Sequence, residues 1–288
     1  MSYPQTQTEP ASNGGLENNR VAGRKTLPWR WLAGPGRTRF GLIAIGLLAV
    51  SIGLGALYSW FGRGANLPDM SIHPAGPERK AAFFDFMAPI VAARNEAIRE
   101  RREKLIQLAQ KFAAEGHLSI LDELWLKRAA EDYAVDWEPD ELDAMFAELE
   151  RRVDIVPRPL VLVQAAKESG WGTSRFAREA NNLFGQWCYR KGCGLVPAQR
   201  SDGDVHEVRK FDSVEDAVDA YLHNINTFNS YARLRQIRLA IRQRGKQPAA
   251  DELAEGLLFY SQRRGQYVDE VRSMLRQYHE FQRQRNNP

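Results

Sequence analysis

The chain has 288 residues, with 40 Lys and Arg against 36 Asp and Glu and a formal charge of +4. Six of the basic residues but only two of the acidic ones precede residue 40, which leaves 34 of each in the remainder. The basic excess therefore belongs to a tail, and the charge pattern excludes a nucleic-acid-binding surface on the folded part.

Residues 1–39 are rich in Gln, Asn, Gly, Pro, Thr and Arg with few periodic apolar positions, the composition of a disordered basic tail. The run from Phe40 to Phe61 has no charged residue. A helix of that length spans a hydrocarbon core of ~30 Å. Tyr58, Trp60 and Phe61 sit at one end, where aromatic rings favour the membrane interface. The positive-inside rule then places residues 1–39 in the cytoplasm and the chain after about residue 62 outside, as a single-pass inner-membrane protein facing the periplasm. A cleaved signal peptide is the alternative, but the apolar run exceeds the ~7–15 residues of a typical h-region. Residues 62–77 are rich in Gly and Pro and read as a linker.

From Glu78 the pattern is helical. Pro89 is expected to start a fresh helix that runs to about Ala114. Within it Val91, Ile98, Leu105 and Phe112 recur every seven positions with Leu108 beside them. Such a stripe serves either a dimer or partner seam along 90–114, or packing on its own domain. The run falls short of a sustained coiled coil, which favours the second use. Helices over 118–131 and 139–150 complete an N-terminal helical region, 78–150, packed on a catalytic domain over 151–288. Pro157 and Pro159 introduce the helix ending in "LVLVQAAKES". Residues 186–211 hold alternating segments, Gly and Pro, and predict a small β-element with loops. Asp212 and Glu215 fit a capping box for the next helix, and further helices follow near 232–244, 249–263 and 265–284. The sum is an α+β fold, mostly helical with a small β-lobe.

The two cysteines, Cys188 and Cys193, stand in "CYRKGC". Outside the cytoplasm they are free to form a local disulfide, and the alternative is two free thiols. The five histidines are scattered without ligand spacing, so neither a metal nor a cofactor is expected.

The segment "QAAKESGWGTSRFAREANNLFGQW" carries the chemistry. Glu168 stands at the end of a helix, where the backbone dipole disfavours a negative charge. Val161, Gln164 and Ala165 share its face, and apolar neighbours favour the neutral acid. Both effects raise the pKa, as a general acid for glycosidic cleavage requires. Gly170 and Gly172 allow a sharp turn. Trp171 offers a flat face for a sugar, Asn181 and Asn182 offer amides, and Phe184 and Trp187 add apolar surface. The bland reading makes Glu168 a solvated end residue and the aromatics core.

That segment resembles the signature of the glucosaminidases of glycoside hydrolase family 73, which pair "QAALESGWG" with "NNLFG" and cut peptidoglycan within a lysozyme-like fold. "FFDFMAPIVAARNEAI", "FGQWCYRKGCGLVP", "EVRKFDSVEDAVDAYLHNINT", "YARLR" and "YVDEVRSML" extend the likeness to the Bax family of Gram-negative bacteria, over roughly residues 78–285. The departures are Lys167 and the Cys188–Cys193 loop. The resemblance implies that Glu168 is the catalytic acid and that peptidoglycan glycan strands are the substrate, cut after N-acetylglucosamine. It also implies a second carboxylate in the β-lobe, for which Glu207 is the first candidate and Asp202 and Asp204 are the next, unless the substrate's own acetamido group assists. Tyr231 matches a tyrosine near the family's cleft. A lytic transglycosylase or muramidase on the same glycan, and a non-catalytic wall-binding scaffold, are the rival readings.

Overall fold

The computed structural model describes residues 64–198, 203, 205–260 and 263–287. The tail over 1–39 and the expected anchor over 40–61 lie outside them, as do Asp202 and Asp204. No helix among the described residues is long and apolar enough to cross a membrane. The architecture is α+β, mostly helical with one three-stranded sheet.

Helix α1, Pro77–Glu115, is one continuous helix of 39 residues, closed by left-handed Gly116. Pro89 lies inside it and does not start it. A proline there removes the bond to the Asp85 carbonyl, but Asp85 faces water, which can replace that bond. Phe84, Met87 and Val91 are buried around the break and hold the helix on course. The heptad stripe is used within the chain. Val91 joins one core, and Leu105 and Leu108 join a second with Leu126, Phe146, Leu149 and Val153. That second core rests on α2, Ile120–Asp132, and α3, Leu142–Arg152, the latter entered through a 3-10 turn at Pro139–Glu141.

Helix α4, Arg158–Ser169, is the centre of the larger core and packs on α1 and on α9, Gly265–Asn286. Its residues Leu160 to Ala166 are all buried, which explains an apolar run without helical alternation. The start of α4 is pinned by Asp154, 2% exposed. Its carboxylate accepts two hydrogen bonds from Arg242, at 2.9 and 2.7 Å, with Arg238 at 3.8 Å and Arg102 at 3.9 Å. Burial pushes the Asp154 carboxyl up, but the Arg242 bonds and the charges of Arg238 and Arg102 bring it below its ordinary range.

After α5, Arg175–Ala180, the chain forms β1, Trp187–Cys188, β2, Gly194–Leu195, and β3, Glu207–Arg209. Both outer strands pair antiparallel to the central β3, with Cys188 opposite Glu207 and Leu195 opposite Val208. Helix α6, Val214–Thr227, is capped one residue later than the capping box at Asp212 and Glu215 predicts. Ser213 accepts from the Asp216 N–H at 3.1 Å, and both Ser213 and Asp212 are competent cap residues. Helix α7, Ala232–Gln243, is followed by a short α8, Ala250–Leu253, and a 3-10 turn at Ala254–Leu257. The helix expected over 249–263 is thus cut short. Gly256 is pressed against the backbone of Leu234, an approach that a side chain would block.

The expected linker over 62–77 is part of the fold from residue 64. Ala65 donates to Glu215 at 2.8 Å and accepts from Val214 at 2.9 Å, and Leu67 donates to the Asn181 side chain at 3.1 Å. Met70 is 2% exposed. Gly172 makes the room, since a Cβ there would lie 2.9 Å from Met70 Cγ and 3.3 Å from Leu67.

Candidate active site

Glu168 is the penultimate residue of α4, half-buried on the floor of an open cleft of about 410 Å³. Phe184, Trp187, Tyr221, Phe228, Tyr231 and Tyr260 form most of its walls. Among the described residues Glu168 is the one carboxylate that lines it.

The local sequence explains the placement. Gly170 ends α4 in the left-handed conformation, with its N–H on the Ala166 and Lys167 carbonyls. Trp171 and Gly172 also have positive φ, 60° and 76°. Three such residues in a row turn the chain sharply away, so nothing of the next segment covers the Glu168 carboxyl. For Trp171, a residue with a Cβ, the conformation costs about 1–2 kcal/mol. The cost is offset by packing: its ring meets Phe84 edge-on at 5.3 Å and Phe83 at 6.0 Å, with Lys80 over it at 5.3 Å. This position corrects the sugar-platform role, because Trp171 packs toward α1 and borders a separate small cavity beside Met274 and Tyr278.

Beneath Glu168 runs a directed chain of hydrogen bonds. Tyr221 donates its hydroxyl to Gln164 Oε1 at 2.5 Å, and Gln164 Nε2 donates to the Tyr267 hydroxyl at 3.0 Å. That leaves the Tyr267 proton for Glu168, whose carboxyl it stabilises in the charged form. Gln164 is 0% exposed, so it acts from below the cleft and does not reach a ligand.

The Glu168 carboxyl is raised above its ordinary value, first by burial. The Tyr267 hydroxyl, Lys167 and Arg263 oppose the rise, and Glu270 adds to it. Lys167 is drawn off into an ion pair with Glu270. Tyr231, on the cleft wall, is pushed up to about 12 by burial and by the nearby Glu168 charge. Tyr221, Tyr260 and Tyr267 are raised as well, each first by burial. All four keep their protons near neutrality; Tyr221 spends its proton on Gln164, Tyr260 on the Phe184 carbonyl at 2.8 Å and Tyr267 on Glu168, and Tyr231 lines the cleft wall.

The other sequence candidates divide. Phe184 is buried and stacks on Tyr221 at 4.1 Å, as floor. Trp187 is 53% exposed, with one face on His206 at 4.3 Å and the other open to the cleft. Asn181 and Asn182 are buried, and their amides serve the protein. Asn181 donates to the Phe211 carbonyl and accepts from Leu67, while Asn182 donates to the Gln186 and Arg209 carbonyls at 2.8 Å each. Neither lines the cleft, which corrects their assignment to substrate.

Glu207 is also corrected. It is 4% exposed, and its two oxygens accept from the N–H groups of Gly192 and Gly194 at 2.9 and 2.8 Å. It holds the loop that the Cys188–Cys193 disulfide closes, and it is not among the residues that line the cleft. The three side chains Cys188, Cys193 and Glu207 lie together, but the sulfurs are joined in the disulfide and cannot ligate a metal as thiolates. Tyr189, Phe228, Tyr260 and Tyr267 were not singled out from the sequence. Tyr189 and Phe228 carry no periodicity, and the other two come from the far end of the chain.

The fold and site thus define an α+β domain with a raised carboxyl at the end of its central helix, and the profile of the glucosaminidase family, described as mannosyl-glycoprotein endo-beta-N-acetylglucosaminidase, matches residues 143–280. Protein bax of Escherichia coli (strain K12) is 35% identical over 199 residues, 69% of this chain and 69% of the relative. The chain belongs to the Bax-like glucosaminidase family. No solved structure matches it.

Proposed function

We propose that the protein is a peptidoglycan hydrolase, an endo-β-N-acetylglucosaminidase that uses Glu168 as its general acid. The observation that carries this reading is the setting of Glu168: a carboxyl raised by burial, open to a cleft lined by aromatic rings, and hydrogen-bonded by the Tyr267 hydroxyl. Glu168 would protonate the glycosidic oxygen as the C1–O bond breaks. Attack at C1 would come from the carbonyl oxygen of the sugar's acetamido group, the route that needs no carboxylate nucleophile. The Glu168 carboxylate would then take a proton from water as that water opens the cyclic intermediate. Tyr231 and Trp187 line the cleft; Tyr231 would hold the acetamido group or the water, and Trp187 would stack on a sugar ring. The apolar run over 40–61 would hold the enzyme at the inner membrane with this domain in the periplasm.

The test is digestion of purified peptidoglycan with mass spectrometry of the products. Reducing-end N-acetylglucosamine, released by wild type and lost in Glu168→Gln, is the expected result. The same cleft suits the rival chemistry in which the intermediate is trapped by a sugar hydroxyl, and 1,6-anhydromuramic ends would establish that rival. Equal release by wild type and Glu168→Gln refutes the catalytic role altogether.

A further inference from the structure

A second cavity, about 580 Å³, lies between α1, the C-terminal end of α2 and the outer face of α6. Its wall carries opposite charges at close quarters: Arg94 and Arg101 from α1, Glu131 and Asp132 from α2, and Asp219 from α6, with the His223 ring beside them. Arg101 donates to Asp132 at 2.8 Å. Arg94 is less well served. Its Nε is shut off from water and makes no hydrogen bond, and its ion-pair partner Asp219 Oδ1 is 3.5 Å away. Burial raises the Asp219 carboxyl; Arg94 opposes the rise, and Asp216 and Glu215 add to it. The pair is long, and both side chains stay partly open, 38% and 50% exposed, so a ligand can reach both charges. A ligand that brings both a carboxylate and an ammonium group would match them.

The cavity and the cleft lie along the same helix. A third depression shares Asn224 with the Glu168 cleft and shares Asp219 and His223 with this cavity. From Asn224 to Asp219 is five residues of α6, about 140° around the helix and about 7.5 Å along it. On a cylinder of ~6 Å radius that is a surface path of ~16 Å. An extended chain of four or five residues spans ~14–17 Å.

We propose that this cavity is the binding site for the peptide stem of the substrate, a short peptide bearing free carboxylates and an amine, whose sugar occupies the Glu168 cleft. The proposal rests on the peptidoglycan reading for its choice of ligand. It assigns to the helical region over 78–150 a share in substrate selection, since Arg94, Arg101 and Asp132 come from there. The ligand carboxylate meets Arg94, and its ammonium meets Asp219.

The direct test is calorimetry on the full chain with a free wall tetrapeptide that contains a diamino acid and carries no sugar. Wild type is expected to bind it, and Arg94→Gln and Asp219→Asn to weaken binding about tenfold or more, the loss of one charge-assisted hydrogen bond. Both side chains are partly exposed, so the variants keep the fold. In parallel, KM on stem-bearing strands should rise about tenfold in Arg94→Gln while kcat on stem-stripped glycan is unchanged. The proposal is overturned by equal peptide binding in wild type and Arg94→Gln, by no binding in wild type, or by equal KM for stem-bearing and stripped strands in wild type. Peptide binding without any glycan cleavage would sink the hydrolase reading and keep this site. Cleavage without peptide binding would do the reverse.

Discussion

Replacement of Tyr267 by Phe separates the roles of the hydrogen-bond chain under Glu168. Phe keeps the stacked contact with Tyr260, whose ring lies 5.0 Å away and tilted by 17°, so the packing stays. What goes is one hydroxyl with two duties. It accepts from Gln164 Nε2, a group on a residue 0% exposed, and orphaning that donor costs about 1–3 kcal/mol. For a fold of this size that is a drop in Tm of about 2–4 °C per kcal/mol. It also stabilises the charged form of Glu168, which works against the effect of burial. Without it the Glu168 carboxyl rises further, so the basic limb of the pH–rate profile moves to higher pH. The assay is the pH dependence of kcat/KM on soluble glycan, with thermal unfolding alongside. Tyr221→Phe is the control, since it removes only the donor to Gln164 Oε1, one step further from the acid. A basic limb that stays in place or moves down in Tyr267→Phe refutes the chain as drawn.

Three further outcomes are expected. Because the folded-state carboxyl of Glu168 is raised, its contribution to stability is fully present below the ordinary value of 4.5 and is lost as pH rises through the folded value. Glu168→Gln should therefore be more stable than wild type at pH 7, and Tm measured across pH should show the difference closing near pH 4. Asp154→Ala strands Arg238, 1% exposed, and should cost about 3–5 kcal/mol in urea unfolding; the opposite shift of Asp154 means that its stabilisation is lost only as pH falls through its lowered pKa. Double replacement of Cys188 and Cys193 by Ser should cost roughly 2 kcal/mol, the loop entropy of a closure five residues apart, and should raise KM by loosening the wall that carries Tyr189; an unchanged KM would detach that loop from substrate binding.

The sequence made the elements legible where a local pattern decides them. Prolines 157 and 159 mark the start of α4, Gly170 marks its end, and the alternation after Gln186 marks the sheet. It failed where partners come from afar. Periodicity puts Gln164 on the face of Glu168, but only the packing of α9 and α6 shows that the amide is spent on Tyr267 and Tyr221. The pair Asn181 and Asn182 looks like a sugar-binding motif, yet each amide donates to backbone carbonyls of the protein itself. Glu207 is a strand residue whose facing was set by pairing with Cys188, a register that no spacing encodes. Trp171 was read as a platform because aromatic rings stack on sugars; its positive φ, invisible in the sequence, turns the ring toward α1.

The same structure changes the physical reason for the acid. A helix end alone is a weak perturbation, about 0.3–1 kcal/mol and quickly screened. Burial is the larger cause of the raised Glu168 carboxyl, and Lys167, the adjacent cation that could cancel it, is held by Glu270. Among the described residues the cleft is completed with aromatic rings and not with further charges. Tyr231 at about 12, and Tyr221 and Tyr260 raised beyond their ordinary value, do not titrate in the working range. The hydroxyl protons of Tyr221 and Tyr260 go to Gln164 and the Phe184 carbonyl, so these rings brace the cleft without supplying a competing base. If Glu168 is the general acid we propose, the basic limb of the pH–rate profile should report the loss of its proton.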